Sequence, residues 1–227
     1  MRIGFYHIDT NTPQSAIGHE CARLMVRSAK RVMPTVPVIH FTDGTSRSVK
    51  GVDAVYRKPA EPMALLRMRH HAGVQGDWLF VDTDIIFQAS VKYVFKAATW
   101  DLGVTTRNWT HVKPAAGFSE RMPYNMGVVF SRCPQFWSEV YLRLKVLEPE
   151  KQRWMGDQEA FCATLAEPWR PYEIRMLKGS RYNYPPMLPE DVPNTDQMQA
   201  EAAILHYKGE RRKPLLLKGL KQEARCA

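Results

Sequence analysis

Apolar and polar positions along the first half of the chain follow the periods of strands and helices in turn. Residues 2–8 are rich in aromatic and β-branched side chains, which is typical of a strand. Residues 16–33 carry apolar side chains at helical spacing, and Pro34 ends this predicted helix. A second helix is predicted from Pro62 to about Ala72. Further strands are predicted over residues 37–44, 52–58 and 77–87.

The second half of the chain is less regular but continues the alternation. Strands are predicted over residues 126–132 and 202–209, and helices over residues 136–147 and 157–165. Residues 182–193 are rich in proline and are predicted to form a shaped loop. Strands that alternate with helices indicate an α/β protein, so we expect a mixed, mainly parallel central sheet flanked by helices.

The segment WLFVDTDIIF, residues 78–87, sets Asp82 and Asp84 inside an apolar run. A carboxylate in such a setting costs free energy unless it is paired. The run is apolar enough for a strand buried on both faces, and open α/β sheets bind ligands beyond the carboxyl ends of such strands. Because residues two apart in a strand point the same way, both carboxylates are expected to face one site.

Two interpretations of these acids are open from the segment alone. Neighbouring unpaired carboxylates repel each other, and a divalent cation such as Mg²⁺ or Mn²⁺ relieves the repulsion and still accepts phosphate ligands. The alternative is a turn in which both side chains accept hydrogen bonds from nearby backbone. The choice depends on other segments of the chain.

Three later segments bring polar residues next to apolar ones. In PYNMGVVFSR, Asn125 and Gly127 precede a strand, and the glycine would permit a close approach of a ligand. In WMGDQEAF, Asp157 and Gln158 open a helix, where Asp157 would also serve as an N-cap. In ILHYKGERRKP, His206 is a candidate metal ligand, and the glycine and cations after it suit a diphosphate. The plainer alternatives are a turn, a helix cap and a solvated basic segment.

The composition fits one soluble domain. The chain has 227 residues, of which 44% are hydrophobic and 24% are charged. No apolar run approaches the ~20 residues that span a membrane, and the N-terminus lacks a secretory pattern, so we expect a cytoplasmic protein. The cysteines lie far apart with no CxxC pair, which argues against a zinc knuckle or a disulfide scaffold. We predict a domain over residues 1–214 and a basic tail over residues 215–227.

Taken in order, FVDTDIIF, YNMGVVFSR, GDQEAF and HYKGERRKP resemble the motifs of GT-A glycosyltransferases, most closely those of glycosyltransferase family 8. The resemblance runs from the first strand to about Pro214. It implies a Rossmann-like nucleotide-diphospho-sugar transferase domain, a nucleotide-sugar donor that is usually UDP-linked, and Mn²⁺ or Mg²⁺ as cofactor. It also implies transfer of a hexose with retention of anomeric configuration.

The resemblance also implies roles for single residues. The diphosphate-binding HxxGxxKP segment of the family falls on Gly209 and on Arg212 or Lys213, because the Lys-Pro pair of this chain comes one residue later. Of the two acids in the DxD motif, Asp82 is also expected to reach the donor. The implied metal ligands are Asp82, Asp84 and His206.

Other positions are expected to line the donor. Asp9 and Asn11 match the polar residues that meet the nucleotide base at the end of the first strand. A basic residue in the helix before the DxD strand reaches the donor in this family, and periodicity does not choose between Arg67 and Arg69. The residues expected to line the donor sugar, and to stabilise or position it during the reaction, are Asn125, Asp157 and Gln158.

The acceptor is expected to be a glycan or a lipid-linked glycan, held by residues 105–123 or by the proline-rich loop. Trp109, His111 and Trp154 are candidates for stacking on a sugar or a base, with core packing as the alternative for the tryptophans. The net charge of +9 favours negatively charged partners. The basic tail resembles the membrane-surface tails of bacterial lipopolysaccharide glycosyltransferases, which makes an anionic membrane surface a candidate partner, whereas a helix packed on the domain is the alternative.

Two other functions stay open. The same chemistry on a nucleic-acid acceptor, such as a modified DNA base, would also explain the positive charge, although no DNA-binding motif is visible. A nucleotide-sugar-binding module without catalysis would keep the same pocket. A sugar-phosphate nucleotidylyltransferase is excluded, because the glycine-rich loop with Arg and Lys that it needs is absent after the first strand.

Overall fold

The strands form one seven-stranded sheet and one two-stranded sheet. The computed structural model describes residues 1–96, 99–106, 122–186, 196–209 and 212–223. The strands are β1 (Arg2–Tyr6), β2 (Val38–Asp43), β3 (Ala54–Lys58), β4 (Trp78–Val81), β5 (Ile85–Phe87), β6 (Leu102–Thr106), β7 (Tyr124–Ser131), β8 (Ile174–Leu177) and β9 (Ile204–His206).

Helices separate β1 from β2 and β3 from β4, three consecutive helices follow β7, and a 3-10 turn lies at Lys92–Phe95. The α-helices are α1 (Pro13–Val32), α2 (Met63–Ala72), α3 (Pro134–Lys145), α4 (Pro149–Arg153), α5 (Gly156–Ala166), α6 (Gly179–Tyr182), α7 (Asp196–Glu201) and α8 (Lys213–Glu223).

The large sheet has the strand order β3-β2-β1-β4-β7-β6-β8. The strands from β3 to β4 are parallel to their neighbours, as are β6 and β8, whereas β7 runs antiparallel to β4 and β6. The predicted α/β fold with a mixed, mainly parallel sheet is therefore confirmed. The site-bearing ends of β1 and β4 lie side by side at the carboxyl edge of this sheet.

Alternate residues of the central strands pack on opposite faces of the sheet. Leu79 and Val81 join the apolar cluster on the α1 side, whereas Trp78 and Phe80 join the cluster formed with α2, α3 and α5. The buried face of α1 begins after Thr12, whose side chain accepts a hydrogen bond from Ser15 N. The helix therefore starts at Pro13, three residues before the predicted start, because Thr12 and Pro13 form an N-terminal cap that was interpreted as loop.

The prediction of one strand over residues 77–87 is wrong. The segment divides into β4 in the large sheet and β5, which pairs antiparallel with β9 in the small sheet. The division falls at Asp82–Asp84, where the polar side chains leave the apolar layers while the segments on both sides stay buried. Continuous burial in two different sheets produced the continuous apolar pattern.

Two strands were missed, and one is shorter than predicted. β6 and β8 pair at the edge of the sheet, where β8 is only partly buried and lacks a clear alternation. The strand predicted over residues 202–209 is limited to β9, because Gly209 has φ +78° and the chain turns there. α8 continues from this turn and buries Leu216 against Cys21 and Leu24 of α1.

The predicted boundary between a domain and a tail at residue 214 stays a prediction, and α8 crosses it. Across the described ranges, no helix is both long enough and apolar enough to traverse a bilayer.

Candidate active site

The candidate metal ligands converge where the two sheets meet. Asp82 follows β4 and Asp84 precedes β5, while His206 ends β9 and lies opposite Ile85 in the small sheet. One ligand atom from each of the three side chains lies within 4.8 Å of the other two. Among the described residues, no other group of three such side chains meets this condition.

The three side chains surround a space in which a bound cation would neutralise the two carboxylate charges. His206 Nε2 lies 3.1 Å from Asp84 Oδ1 and 3.5 Å from Asp82 Oδ2. Because His206 and Asp84 are 3% and 8% exposed, water screens the carboxylate charges poorly there. Carboxylate oxygens and an imidazole nitrogen are common ligands of divalent metals. The donor set therefore fits a divalent cation.

Arg67 of α2 bridges two acids of the site. Its Nη2 donates to Asp82 Oδ1 at 2.7 Å, and its Nη1 donates to Asp157 Oδ2 at 3.3 Å. Although burial favours the protonated acid, the guanidinium charge holds the pKa of Asp82 below its ordinary value. Asp82 is thus kept ionised, with Oδ1 held by Arg67 and Oδ2 turned toward His206.

Asp157 lies in the first turn of α5, and the N-cap of that helix is Met155. The interpretation of Asp157 as a simple N-cap is therefore wrong. Its Oδ1 accepts the N–H of Gln158 at 2.9 Å, while Oδ2 faces Arg67. Burial raises the pKa of Asp157 above its ordinary value, and the charge of Arg67 opposes part of that rise.

Two amide side chains connect the site to the backbone of β7. Gln158 Oε1 accepts the N–H of Met126 at 2.9 Å, and its Nε2 donates to Tyr124 O at 3.1 Å. Asn125 Oδ1 accepts the N–H of Gly127 at 3.0 Å. Gln158 therefore holds α5 against β7, whereas the bond of Asn125 lies within β7. The predicted roles of both residues toward a sugar stay predictions.

Gly127 is required by the protein rather than by a ligand. A Cβ at this position would lie 2.2 Å from His206 Cε1 and 2.7 Å from Asp82 Oδ2. Any side chain here would push two of the three candidate metal ligands apart. The close approach expected at this glycine is therefore made by His206 and Asp82.

Cationic side chains also lie at the candidate site. Lys208, Gly209 and Lys213 line the same cavity as the acids. Arg212 is not part of this lining, and its Nε donates to Pro186 O at 2.9 Å. Of the two candidates for the family lysine, Lys213 is the one at the cavity, whereas Arg212 holds the preceding loop.

Asp9 and Asn11 stabilise the loop after β1 and do not line the cavity. Asp9 Oδ1 accepts hydrogen bonds from Asn11 N and Ser15 Oγ, both at 3.2 Å, and Oδ2 pairs with Arg47 at 2.7 Å. Tyr6, the last residue of β1, lines the cavity instead, and its buried hydroxyl has no hydrogen-bond partner among the residues that the structure describes. The predicted base contacts of Asp9 and Asn11 stay predictions.

The cavity that these residues share has a volume of about 640 Å³, which suits a small-molecule ligand. Arg69, the second candidate in α2, is absent from the cavity lining and pairs with Glu61 at 2.8 Å.

The predicted acceptor segment lies mostly outside the described residues, and so do Trp109 and His111.

Solved structures match the fold over most of the chain, although no family model and no curated protein matches its sequence. The galactosyltransferase LgtC, in complex with donor and acceptor sugar analogues, has a TM-score of 0.59 at 12% identity, covering 93% of this chain and 88% of that chain. The bifunctional glycosyltransferase WbbM has a TM-score of 0.58 at 11% identity, covering 92% of this chain and 46% of that chain. The glycosyltransferase GlyE of Streptococcus pneumoniae TIGR4 has a TM-score of 0.57 at 13% identity, covering 93% of this chain and 56% of that chain.

The chain has the GT-A glycosyltransferase fold. It spans about half the length of WbbM and GlyE. The Asp82, Asp84 and His206 cluster lies at the carboxyl edge of the large sheet, which is where α/β sheets of this kind bind ligands.

The GT-A fold of this chain brings two further side chains to the site that sequence reasoning missed. Tyr6 was interpreted only as a strand former, and its position at the end of β1 is the one signal that marked it. Asn183 follows α6 in the proline-rich segment and is fully buried against His206 and Asn125. No local pattern marks Asn183, because the described partners of its side chain are distant in sequence.

Trp154 stands at the edge of the cavity with 69% of its surface exposed. The corner between α4 and α5 that carries it is tightly built. Met155 adopts φ +65°, which is uncommon for a residue with a side chain, and a Cβ at Gly156 would lie 2.2 Å from Lys151 O. This backbone fixes the corner from which the exposed Trp154 side chain lines the same cavity as Asp157.

Proposed function

We propose that the chain is a metal-dependent, retaining glycosyltransferase that moves a hexose from a UDP-linked sugar to a glycan or lipid-linked glycan. The observation that carries the proposal is the convergence of Asp82, Asp84 and His206 with cationic side chains in one cavity of a GT-A fold. Opposite charges around one cavity suit a ligand that combines a metal ion with a diphosphate.

Asp82, Asp84 and His206 are the proposed ligands of Mn²⁺ or Mg²⁺. The bound ion would act as a Lewis acid toward the departing diphosphate. Arg67 keeps Asp82 ionised and fixes the direction of its second oxygen, so the ligand is oriented before the ion arrives.

Lys208 and Lys213 are the proposed diphosphate ligands, together with the turn at Gly209. The diphosphate gains negative charge as the glycosyl–phosphate bond breaks, and cations fixed at the site stabilise that charge more than the charge of the intact donor. All three residues line the cavity that contains the acids. Tyr6 is a further candidate for donor contact, because its buried hydroxyl has no partner within the described protein.

Asp157, Gln158 and Asn125 are proposed to line the reacting sugar. The sugar carbon gains positive oxocarbenium character during transfer, and the carboxylate of Asp157 would stabilise that charge when ionised. Gln158 and Asn125 are held by hydrogen bonds to β7, so they form a rigid wall that orients the sugar.

Trp154 is the proposed contact for the acceptor. An exposed indole next to Asp157 offers a flat apolar surface, which suits the apolar face of a sugar ring. A glycan acceptor is preferred over nucleic acid because LgtC, which has the same fold, was solved with an acceptor sugar analogue. Binding to duplex DNA that weakens steeply with added salt would instead favour the nucleic-acid acceptor.

The proposal is tested by incubating the protein with a panel of nucleotide sugars and Mn²⁺, with and without EDTA, and following donor hydrolysis by mass spectrometry. We expect turnover of one donor that EDTA abolishes. Asp84→Asn should lose this turnover, whereas Asp77→Asn, a change at the other end of β4 where Asp77 pairs with Arg132, should keep it.

Binding of a donor without turnover would support the rival function, a nucleotide-sugar-binding module. Absence of both binding and turnover with every donor would refute the transferase proposal. Turnover that is insensitive to EDTA would refute the proposed metal dependence but would still support a glycosyltransferase.

A further inference from the structure

The hydrogen bonds around Asn183 form a chain whose directions are all determined by one backbone group. The N–H of Gly127 can only donate, so Asn125 Oδ1, 3.0 Å away, must accept. Asn125 Oδ1 also lies 2.9 Å from the amide of Asn183, so the Asn183 atom that faces it must be Nδ2, the donor. The same Nδ2 donates to Thr105 Oγ1 at 2.7 Å.

The direction of the Asn183 amide then determines the tautomer of His206. With Nδ2 turned to Asn125 and Thr105, the oxygen Oδ1 of Asn183 lies 2.8 Å from His206 Nδ1. An amide oxygen can only accept, so Nδ1 must carry the hydrogen. In the neutral ring, Nε2 then presents its lone pair toward Asp82 and Asp84.

We propose that Asn183 is a positioning residue, which holds His206 in the Nδ1–H tautomer so that Nε2 is ready to bind a divalent metal ion. Asn183, Thr105 and His206 are 0%, 0% and 3% exposed, so water cannot replace a missing partner in this network. The inference rests on the proposed metal site, because the tautomer matters only if Nε2 is a ligand.

The network also joins the two sheets at the site. Thr105 and Asn125 belong to β6 and β7 of the large sheet, whereas His206 belongs to β9 of the small sheet. Asn183 contacts all three, and the next residue continues the connection, since His206 N donates to Tyr184 O at 2.7 Å. Asn183 therefore controls both the tautomer of the imidazole and its position relative to the acids.

The first test is the tautomer itself, read from the ¹⁵N chemical shifts of His206 in the metal-free protein at pH 8. We expect Nδ1 to carry a hydrogen. A neutral ring with its hydrogen on Nε2 alone, and none on Nδ1, would overturn the inference. Because this measurement needs no metal, no donor and no variant, it stands apart from the proposed function.

The second test is Mn²⁺ binding, measured by calorimetry without any nucleotide sugar. Asn183→Leu removes the acceptor at similar volume, and we expect its Mn²⁺ affinity to fall by about 10- to 100-fold. Asn183→Asp keeps an oxygen facing Nδ1 but turns a second acceptor toward Asn125 Oδ1 in place of the Nδ2 donor, so we expect it to keep the tautomer and to recover only part of the affinity. Equal affinity in the Leu variant and the wild type would overturn the inference.

A matched control separates positioning from general destabilisation. Thr164→Val removes another fully buried hydrogen bond, from Thr164 Oγ1 to Ala160 O at 2.9 Å in α5. We expect Thr164→Val to lower the melting temperature without changing Mn²⁺ affinity. If it lowers the affinity as much as Asn183→Leu does, the positioning role is refuted. If the wild-type protein shows the expected tautomer but binds no Mn²⁺, the result refutes the metal dependence in the proposed function and not the tautomer.

Discussion

Acidification from about pH 6.5 to about pH 4 is expected to destabilise this protein through its buried histidines. His7, His40 and His70 are 8%, 0% and 1% exposed, and burial is the largest cause that lowers the pKa of each from 6.5 to about 4. His40 illustrates the physical reason, because its Nε2 faces His7 O at 3.0 Å while its Nδ1 accepts the N–H of Val49 at 3.3 Å. A proton added to Nδ1 would face the N–H of Val49, so the charged ring would lose this hydrogen bond and set two donors against each other.

The sign and size of the effect follow from these values. Below pH 6.5 the unfolded chain takes up protons that the folded chain refuses until about pH 4, so the free energy of unfolding falls as the pH falls. A fall in pKa from 6.5 to about 4 corresponds to about 3 to 4 kcal/mol for each histidine, and to about 10 kcal/mol for three. That loss is comparable to the whole stability of a typical domain, about 5–15 kcal/mol.

Other titrating groups add to this loss or offset part of it. His71 has its pKa lowered in the same direction and adds to the loss. Burial raises the pKa of Asp157, so this acid destabilises the fold at neutral pH and relieves part of the loss as it takes up a proton. Asp53 and Asp82, whose pKa values are lowered, lose their contribution only below about pH 4, outside the window.

The assay is urea unfolding followed by circular dichroism at pH 7.5, 6.5, 5.5 and 4.5. We expect little change above pH 6.5 and, below it, a slope of about 4 kcal/mol per pH unit from these three histidines, which His71 increases further. His70→Gln keeps a donor for Thr42 O, which His70 Nε2 contacts at 2.9 Å, and should lower the slope by about 1 kcal/mol per pH unit. A flat free energy between pH 6.5 and 4.5, or an unchanged slope in His70→Gln, would refute the reasoning.

Three further predictions concern the site. Gly127→Ala should lower Mn²⁺ affinity about 10-fold or more in calorimetry, because its Cβ would displace His206 and Asp82; unchanged affinity would contradict the geometry. Arg67→Lys should lower donor turnover about 10- to 100-fold although the charge is kept, because one ammonium cannot bridge two acids, and full activity would show that the bridge is dispensable. Trp154→Ala should raise KM for a glycoside acceptor by roughly 2- to 12-fold with donor hydrolysis unchanged. Trp169→Ala, at an exposed tryptophan outside the cavity, should change neither.

The fold was predictable from the sequence because its main elements carry strong local signals. The apolar run before Asp82 and the helical spacing after Pro13 each report burial on a sheet face. What the pattern could not report is the partner of a buried segment. Residues 78–87 are buried throughout almost their whole length, yet their two halves pair with strands of different sheets. A hydrophobic pattern indicates that a segment is buried, but it does not indicate which strand the segment pairs with, because pairing depends on contacts with distant parts of the chain.

The site was predictable only where residue type alone restricts the chemistry. Acids in an apolar run need a partner, so Asp82 and Asp84 were visible from the sequence. His206 was a candidate from its residue type, and the resemblance joined it to the two acids. The choices among Arg67, Arg69, Arg212 and Lys213 were not visible, because a cation can pair with any nearby oxygen. The structure separates them by their partners: Arg67 binds the site acids, whereas Arg69 and Arg212 bind Glu61 and the backbone of Pro186.

Asn183 illustrates the deeper reason why sequence reasoning ends where it does. Its amide is neutral, so it creates no electrostatic conflict that would mark it in the sequence, unlike Asp82. Its effect arises from three contacts with residues 23, 58 and 78 positions away, and each contact is informative only because the others determine its direction. A charged ligand can be recognised alone, whereas a residue that orients a ligand can be recognised only with its partners. Positioning residues of such sites must therefore be sought by following hydrogen bonds outward from the ligands.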